Sequence, residues 1–209
     1  MSEEEFRKLV ERHAEVISQL QECAHALHAQ VGQTYGNQLP YGYHLDRVAD
    51  GVRRYGHAVC GSEEDIVPLF FGAYFHDSIE DARLTYNDVM KLAKRWMDNQ
   101  QALAATEMVY ALTNEKGRTR AERANEKYYQ GIRKTPFAPF LKLADRLANI
   151  TYSCSGSDGN GSRMKQVYRA ELPHFLAAIC SEDTCVCKAL PPAMVSEVER
   201  LLLEDGHGE

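Results

Sequence analysis

The feature that most constrains the fold is a ten-residue apolar run, IVPLFFGAYF at positions 66–75, followed directly by charged residues. A helix through this run would be apolar on nearly all sides, which is typical of a helix at the centre of a core. The run is far shorter than the roughly 20 residues that a membrane-spanning helix needs. The segment 63–81 therefore predicts a buried helix that the rest of the chain surrounds.

The rest of the chain repeats apolar residues at helical spacing, and no segment shows the alternating period of a strand. The predicted helices cover about 3–30, 41–55, 85–97, 102–112, a segment ending before Thr135, 138–152, 163–180 and 193–203. Thr85 is expected to cap its helix, with Asp88 in the first turn. We therefore expect an all-α bundle of about eight to ten helices in one domain over 1–209. A flexible glycine–serine loop at 153–162 and a disordered tail at 204–209 complete the prediction.

Charge and cysteine usage narrow the class of protein. The formal net charge of -6 argues against general nucleic-acid binding, because neutralising phosphates needs basic surfaces. The N-terminus MSEEEFRKLV lacks the features of a signal peptide, so we expect a cytoplasmic protein with no membrane segment. The six cysteines are then expected to be reduced thiols. Metal binding by Cys185 and Cys187 is less favoured, since no matching second pair exists.

A cluster of chemically active residues follows the apolar run. His76 and Asp77 are adjacent, and Glu80 and Asp81 lie four residues after each of them. If the helix continues to residue 81, these pairs occupy two neighbouring stripes of one surface. A solvated helix end with ordinary charges is the alternative, and for a lone His-Asp pair it is the better one.

Two further residues favour a metal site. His44 lies at the start of a predicted helix, and Asp145 lies on a predicted amphipathic helix. Together with His76 and Asp77 they supply two imidazoles and two carboxylates from three helices. Mixed nitrogen and oxygen ligands suit Mn²⁺, Fe²⁺, Zn²⁺ or Co²⁺. Four ligands on an octahedral ion leave positions open for water and a phosphate oxygen.

The motifs HLDRVA, FHDSIEDARLT, LTNEKGRTRAER and FLKLADRLANI resemble the HD superfamily of phosphohydrolases. They are most similar to the hydrolase domain of bifunctional alarmone synthetase–hydrolases and to small stand-alone alarmone hydrolases, including the metazoan kind. The resemblance covers roughly residues 20–180. It implies a site with one Mn²⁺ ion and a catalytic carboxylate pair that orients and activates the attacking water.

The resemblance also implies a role for each matching position. The implied Mn²⁺ ligands are His44, His76, Asp77 and Asp145. The implied catalytic pair is Glu80 and Asp81. The implied nucleotide-binding residues are Tyr41, Lys116, Asn149 and Tyr168. Arg146 follows a ligand but could pair with a carboxylate instead, so it is left outside the predicted site.

Two departures bear on the substrate. The family has a basic pair upstream of its first histidine that packs on guanine, whereas the stretch GQTYGNQ here holds no Lys or Arg, and Leu45 replaces the usual proline. The expected activity is removal of the 3′-pyrophosphate from guanosine tetra- and pentaphosphate. A phosphatase for another nucleotide, NADPH at its 2′-phosphate or a deoxynucleotide, is the alternative enzyme. A catalytically silent nucleotide sensor is the alternative class, which the intact carboxylate pair disfavours. The oligomeric state is left open.

Overall fold

The computed structural model describes residues 1–36, 38–155, 161–180 and 190–203. The tail at 204–209, the Cys185–Cys187 pair and the middle of the predicted glycine–serine loop lie outside these ranges. The two ends of that loop prediction are wrong, because the preceding helix continues to Cys154 and the next begins at Gly161.

The all-α prediction is confirmed. The helices are α1 (Glu3–Arg12), α2 (Ala14–Gln30), α3 (Gly42–Tyr55), α4 (Ile66–Phe75), α5 (Tyr86–Ala93), α6 (Asn99–Leu112), α7 (Arg120–Arg123), α8 (Glu126–Lys134), α9 (Ala138–Cys154), α10 (Gly161–Ile179) and α11 (Pro192–Leu203). Two 3-10 turns occupy Gly56–Ala58 and Glu63–Asp65. Over the described ranges, extended structure is limited to β1 (Thr34–Tyr35) and β2 (Leu39–Pro40), which pair antiparallel.

Helix α4 forms the centre of the core, as its apolar sequence predicts. All ten of its residues are buried, and it packs against α2, α3 and α6. The predicted extension of this helix to residue 81 is wrong: α4 ends at Phe75, and residues 76–82 form turns. Several of these turn residues stay buried, with His76 3% and Ser78 0% exposed, so the backbone leaves the helical conformation without leaving the core.

The single N-terminal helix predicted over 3–30 is also wrong, since α1 and α2 are separated at His13. At this break, His13 Nε2 lies 3.0 Å from Glu63 Oε1, and Arg12 forms a second ion pair with the same carboxylate. Periodicity along one segment carries no information about such a partner 50 residues away. The predicted cap of α5 is confirmed, because Thr85 and Asp88 form a reciprocal capping box.

Close packing brings the site-bearing helices together. Helix α9 contacts both α3 and α6, and α3 contacts α4. A Cβ atom at Gly51 would lie 3.3 Å from the Ala144 Cβ, and one at Gly72 would lie 2.5 Å from a Leu141 methyl carbon. Glycine therefore permits α3 and α4 to approach α9 closely. None of the helices in the described ranges has the length and apolarity to cross a membrane.

Candidate metal centre

Three predicted ligands from three parts of the fold converge in a buried position. His44 lies in the first turn of α3, His76 directly follows α4, and Asp145 lies in the middle of α9. One potential ligand atom from each falls within 4.8 Å of the other two. The two histidine Nε2 atoms are 3.3 Å apart, and His44 Nε2 is 3.4 Å from Asp145 Oδ1.

The fourth predicted ligand, Asp77, lies at the same point. Its Oδ2 atom is 2.9 Å from His76 Nε2 and 3.6 Å from His44 Nε2. The Tyr41 hydroxyl donates a 2.5 Å hydrogen bond to this oxygen. The structure therefore brings all four predicted ligands together, although only His76 and Asp77 are neighbours in the sequence.

The spacing of these atoms fits one divalent ion. Ligand atoms bound at about 2.1 Å on perpendicular axes lie about 3 Å apart. Four of the separations lie between 2.9 and 3.6 Å, close to that value, and the group whose ligand atoms all lie within 4.8 Å of one another consists of His44, His76 and Asp145. His76 Nδ1 lies 2.9 Å from the Ala73 carbonyl oxygen, and donation there leaves Nε2 free to bind a metal. The His44 ring stacks on Tyr35, with ring centroids 4.9 Å apart.

The electrostatics favour a positive charge at the centre. Burial alone would lower the pKa of His76, but the carboxylates of Asp77 and Asp145 outweigh it and raise this pKa to about 9. Burial would raise the pKa of Asp77, yet His76 holds it below its usual range. The two carboxylates thus stabilise a positive charge on the His76 ring.

Both oxygens of Asp145 are held in place. Lys142 Nζ lies 2.9 Å from Oδ2, and the Asn149 amide donates a 2.7 Å hydrogen bond to Oδ1. Asn149 in turn accepts a 2.8 Å hydrogen bond from the Tyr35 hydroxyl. Although burial would raise the pKa of Asp145, Lys142 and His44 lower it well below its usual range. Sequence reasoning missed Lys142, which its position three residues before Asp145 on one helix could have indicated.

The predicted catalytic carboxylates, Glu80 and Asp81, lie on the turns after α4. They therefore do not share a helical surface with His76 and Asp77. The Asp81 backbone N–H donates a 2.8 Å hydrogen bond to the Asp77 carbonyl, and burial and Asp77 raise the pKa of the Asp81 carboxyl. Glu80 is exposed, and its carboxylate accepts hydrogen bonds of 2.9 and 3.1 Å from the Asn114 amide. Asn114 is a second residue that sequence reasoning missed.

The four predicted nucleotide-binding residues have different surroundings. Tyr41 is buried, with its ring stacked 4.5 Å from His28 and its hydroxyl bonded to Asp77. It therefore positions a proposed metal ligand rather than offering an open ring face to a nucleotide. Asn149 and Tyr168 line a cavity beside the metal centre. Lys116 is exposed and is not among the residues that line this cavity.

The cavity has a volume of about 720 Å³ and includes Asp145 in its wall. Its cationic lining residues are Arg120, Arg123, Lys142 and Arg146. Arg146 forms the expected carboxylate pair, at 2.8 Å from Glu171, but its guanidinium also belongs to the cavity wall. Glu126, Asp145 and Glu171 also line the cavity, so its wall carries four cations and three carboxylates, and Arg120, Lys142 and Arg146 are paired with two of these carboxylates.

Comparisons of the chain with protein-family models, with curated proteins and with solved structures found no match. Functional assignment rests on the geometry of the metal centre and its cavity, together with the motifs in the sequence.

Proposed function

We propose that this chain is a cytoplasmic, metal-dependent phosphohydrolase that acts on a phosphorylated nucleotide. The observation that carries the proposal is the convergence of His44, His76 and Asp145, with Asp77 against both histidines, beside a cavity whose wall includes three arginines and a lysine. The resemblance of the sequence motifs to HD-type alarmone hydrolases supports the same reaction. We propose guanosine tetra- and pentaphosphate as the substrates, with cleavage of the 3′-pyrophosphate and Mn²⁺ as the metal.

The metal is proposed to bind the two histidine Nε2 atoms and the carboxylates of Asp77 and Asp145. When bound, a divalent ion would polarise a phosphate oxygen and make water a better nucleophile near neutral pH. The Asn114 amide orients the Glu80 carboxylate, which is proposed to accept the proton of the attacking water. Asp81 lies beside Asp77 and Tyr41, and its raised pKa is proposed to suit exchange of a proton with the phosphate or water.

The cavity supports a phosphorylated small molecule as the substrate. Its volume of about 720 Å³ lies within the range of about 300–1,000 Å³ found for small-molecule sites. Guanidinium groups on its wall match phosphate oxygens in geometry and charge. Lys142 is proposed to act differently, because its ammonium is already paired with Asp145 and stabilises the ligand set.

The test is phosphate and pyrophosphate release from a nucleotide panel, with and without Mn²⁺, after treatment with a chelator. The panel contains guanosine and adenosine 3′-pyrophosphates, NADPH and deoxynucleotides. We expect pyrophosphate from the 3′-pyrophosphates, only with metal present. His44→Ala should remove this activity, whereas His57→Ala, outside the metal centre, should keep it. Turnover of NADPH or a deoxynucleotide alone would replace the proposed substrate, and no turnover of any nucleotide would favour a silent nucleotide sensor.

A further inference from the structure

The short hairpin formed by β1 and β2 packs against the metal centre through Tyr35. The Tyr35 ring stacks on the His44 imidazole, with ring centroids 4.9 Å apart and an angle of 20° between the planes. The Tyr35 hydroxyl donates a 2.8 Å hydrogen bond to the side-chain oxygen of Asn149. One residue of the hairpin therefore contacts α3 through its ring and α9 through its hydroxyl.

Asn149 connects the Tyr35 hydroxyl to a proposed metal ligand. The amide nitrogen of Asn149 donates to Asp145 twice, at 2.7 Å to Oδ1 and at 3.0 Å to the backbone carbonyl. A side-chain amide has two N–H donors and one oxygen that accepts. Both donors are thus directed at Asp145, and the Tyr35 hydroxyl satisfies the oxygen. Hydrogen bonds in such a chain polarise one another, so removing the hydroxyl should loosen the hold on Asp145.

Gly36 lets the hairpin approach α9 closely. Its φ of 58° lies in the left-handed region that favours glycine. A Cβ atom at this position would overlap the hydroxyl of Tyr152, which lies on α9. The Tyr152 ring also packs beside the Tyr35 ring, with centroids 4.6 Å apart. The missing side chain at Gly36 therefore permits the approach that brings Tyr35 to Asn149.

We propose that Tyr35 is a positioning residue of the metal centre, which orients the His44 ring by stacking and holds Asp145 through Asn149. These two ligands lie on different helices, and Tyr35 restrains both from one short hairpin. The hairpin then contributes to the affinity for the metal, and Tyr35 acts on the reaction only through the ligands. This inference rests on the proposed metal centre, but metal affinity is measured without turnover.

The first measurement is calorimetric titration of the metal-free protein with Mn²⁺. Residues that orient metal ligands typically contribute about 10- to 100-fold to metal affinity. Tyr35→Phe keeps the ring and removes the hydroxyl, so it should weaken Mn²⁺ binding by about tenfold. Tyr35→Leu also removes the stacked ring and should weaken binding by about 100-fold. Tyr43→Phe is the matched control, because it removes the hydroxyl of a neighbouring exposed tyrosine and should keep wild-type affinity.

A double-mutant cycle shows whether the hydroxyl acts through Asn149. Asn149→Ala alone should also weaken Mn²⁺ binding. Adding Tyr35→Phe to it should cause less than about a twofold further loss, because both changes break the same chain of hydrogen bonds. If the two losses multiply in full, the path through Asn149 is overturned.

Two glycine variants test the docking of the hairpin. Gly32 and Gly36 both have positive φ, 68° and 58°, but a Cβ atom at Gly32 would meet no atom within 4 Å. Only Gly36→Ala should therefore weaken Mn²⁺ binding, by about tenfold. Equal losses in Gly32→Ala and Gly36→Ala would overturn the contribution of the hairpin contact with Tyr152.

The titrations also separate this inference from the proposed function. Wild-type affinity in Tyr35→Leu, or an equal loss in Tyr43→Phe, overturns the role of Tyr35 and leaves the metal centre in place. If the wild type binds no Mn²⁺, the proposed metal centre fails, and the positioning role fails with it. If the Tyr35 variants lose affinity and the wild type hydrolyses no nucleotide, the proposed reaction fails and the positioning role stands.

Discussion

The metal centre and the cationic cavity wall lie side by side but are built differently. The His44 and His76 side chains are 3% exposed, whereas the Arg120 side chain is 50% exposed. The centre is held by buried helices, and the outer wall by a short helix and by ion pairs at the surface. We therefore expect substitutions at the centre to abolish function and stability together, and substitutions at the wall to change substrate preference in graded steps.

Asp145→Ala is expected to have the largest effect. It removes a proposed ligand, so hydrolysis and bound metal should both be lost. It also leaves the Lys142 ammonium, 17% exposed, without its partner at 2.9 Å. Unpairing a buried charge typically costs about 3–5 kcal/mol. Elemental analysis measures the metal, and chemical denaturation of the metal-free protein measures the stability.

One further variant separates the loss of the proposed ligand from the effect of the unpaired Lys142 charge, and a second serves as the control. Adding Lys142→Met to Asp145→Ala removes the unpaired charge, so stability should recover while activity does not. Asp50→Ala removes an exposed carboxylate paired with Arg47 on α3, and should change stability by less than about 1 kcal/mol. Full activity in Asp145→Ala would contradict the assignment of the centre.

Glu80→Gln tests the exposed edge of the centre. The substitution keeps the size of the side chain and an oxygen that Asn114 can bond, but removes the proton-accepting charge. Turnover should fall by about 10²–10⁴, the usual contribution of a general base, with metal still bound. Glu107→Gln, an exposed carboxylate on α6, is the control and should retain activity. Loss of metal from Glu80→Gln would instead make Glu80 a ligand.

The buried His28 predicts that the protein loses stability in acid. Burial lowers the pKa of His28 to about 4 from an ordinary 6.5, and both its ring nitrogens are without a hydrogen-bond partner among the described residues. As the pH falls, His28 is therefore protonated at a higher pH in the unfolded chain than in the folded protein. The contribution to stability is complete above pH 6.5 and is lost as the pH falls toward 4. By then the loss amounts to about 3 kcal/mol.

His28→Phe keeps a ring that can stack on Tyr41 and removes the titration. Unfolding free energies of the two proteins, measured from pH 7 to pH 4, should diverge below pH 6.5, with the wild type losing more stability. His174→Phe is the control, because this exposed histidine on α10 is not enclosed by the core. Parallel pH profiles for His28→Phe and the wild type would show that His28 is not held neutral by the fold.

The smallest effect concerns the nucleobase. The stretch GQTYGNQ supplies no Lys or Arg to read guanine, and the Tyr35 ring packs on His44 and on Tyr152, at 4.9 and 4.6 Å. Aromatic contacts tolerate any base. We expect kcat/KM for guanosine 3′-pyrophosphates to exceed that for the adenosine analogues by only about tenfold. A ratio above roughly 10³ would reveal a group that hydrogen-bonds the guanine edge.

The sequence predicted those features that depend on one short segment of the chain. Helical spacing predicted most helices of the fold, and the apolar run predicted the buried α4. The four proposed ligands were chosen because each lies in a short motif that resembles the HD superfamily, and the structure places them near one another. The helix predicted over 76–81 was wrong because residue spacing alone cannot show where tertiary packing turns the chain out of a helix.

The wall of the cavity could not be predicted for a different reason. Arg120 and Glu171 are 51 residues apart, and Glu80 and Asn114 are 34 residues apart. Nothing in the charged segment TNEKGRTRAER shows which of its residues face the cavity. The prediction selected Lys116 there, whereas Asn114, Arg120 and Arg123 are the ones that line it. Tertiary packing determines which residues of this segment line the cavity.

The glycines on α3 and α4 have a consequence for metal preference. Gly51 lies two helical turns after His44, and Gly72 lies one turn before His76. A methyl group at Gly51 would force its neighbour Ala144 to yield by a few tenths of an ångström. That shift is comparable with the roughly 0.2 Å tolerance of metal–ligand distances. For the proposed metal, the size of ion that the centre would accept therefore depends partly on helix spacing, and could change over evolution while every proposed ligand stays the same.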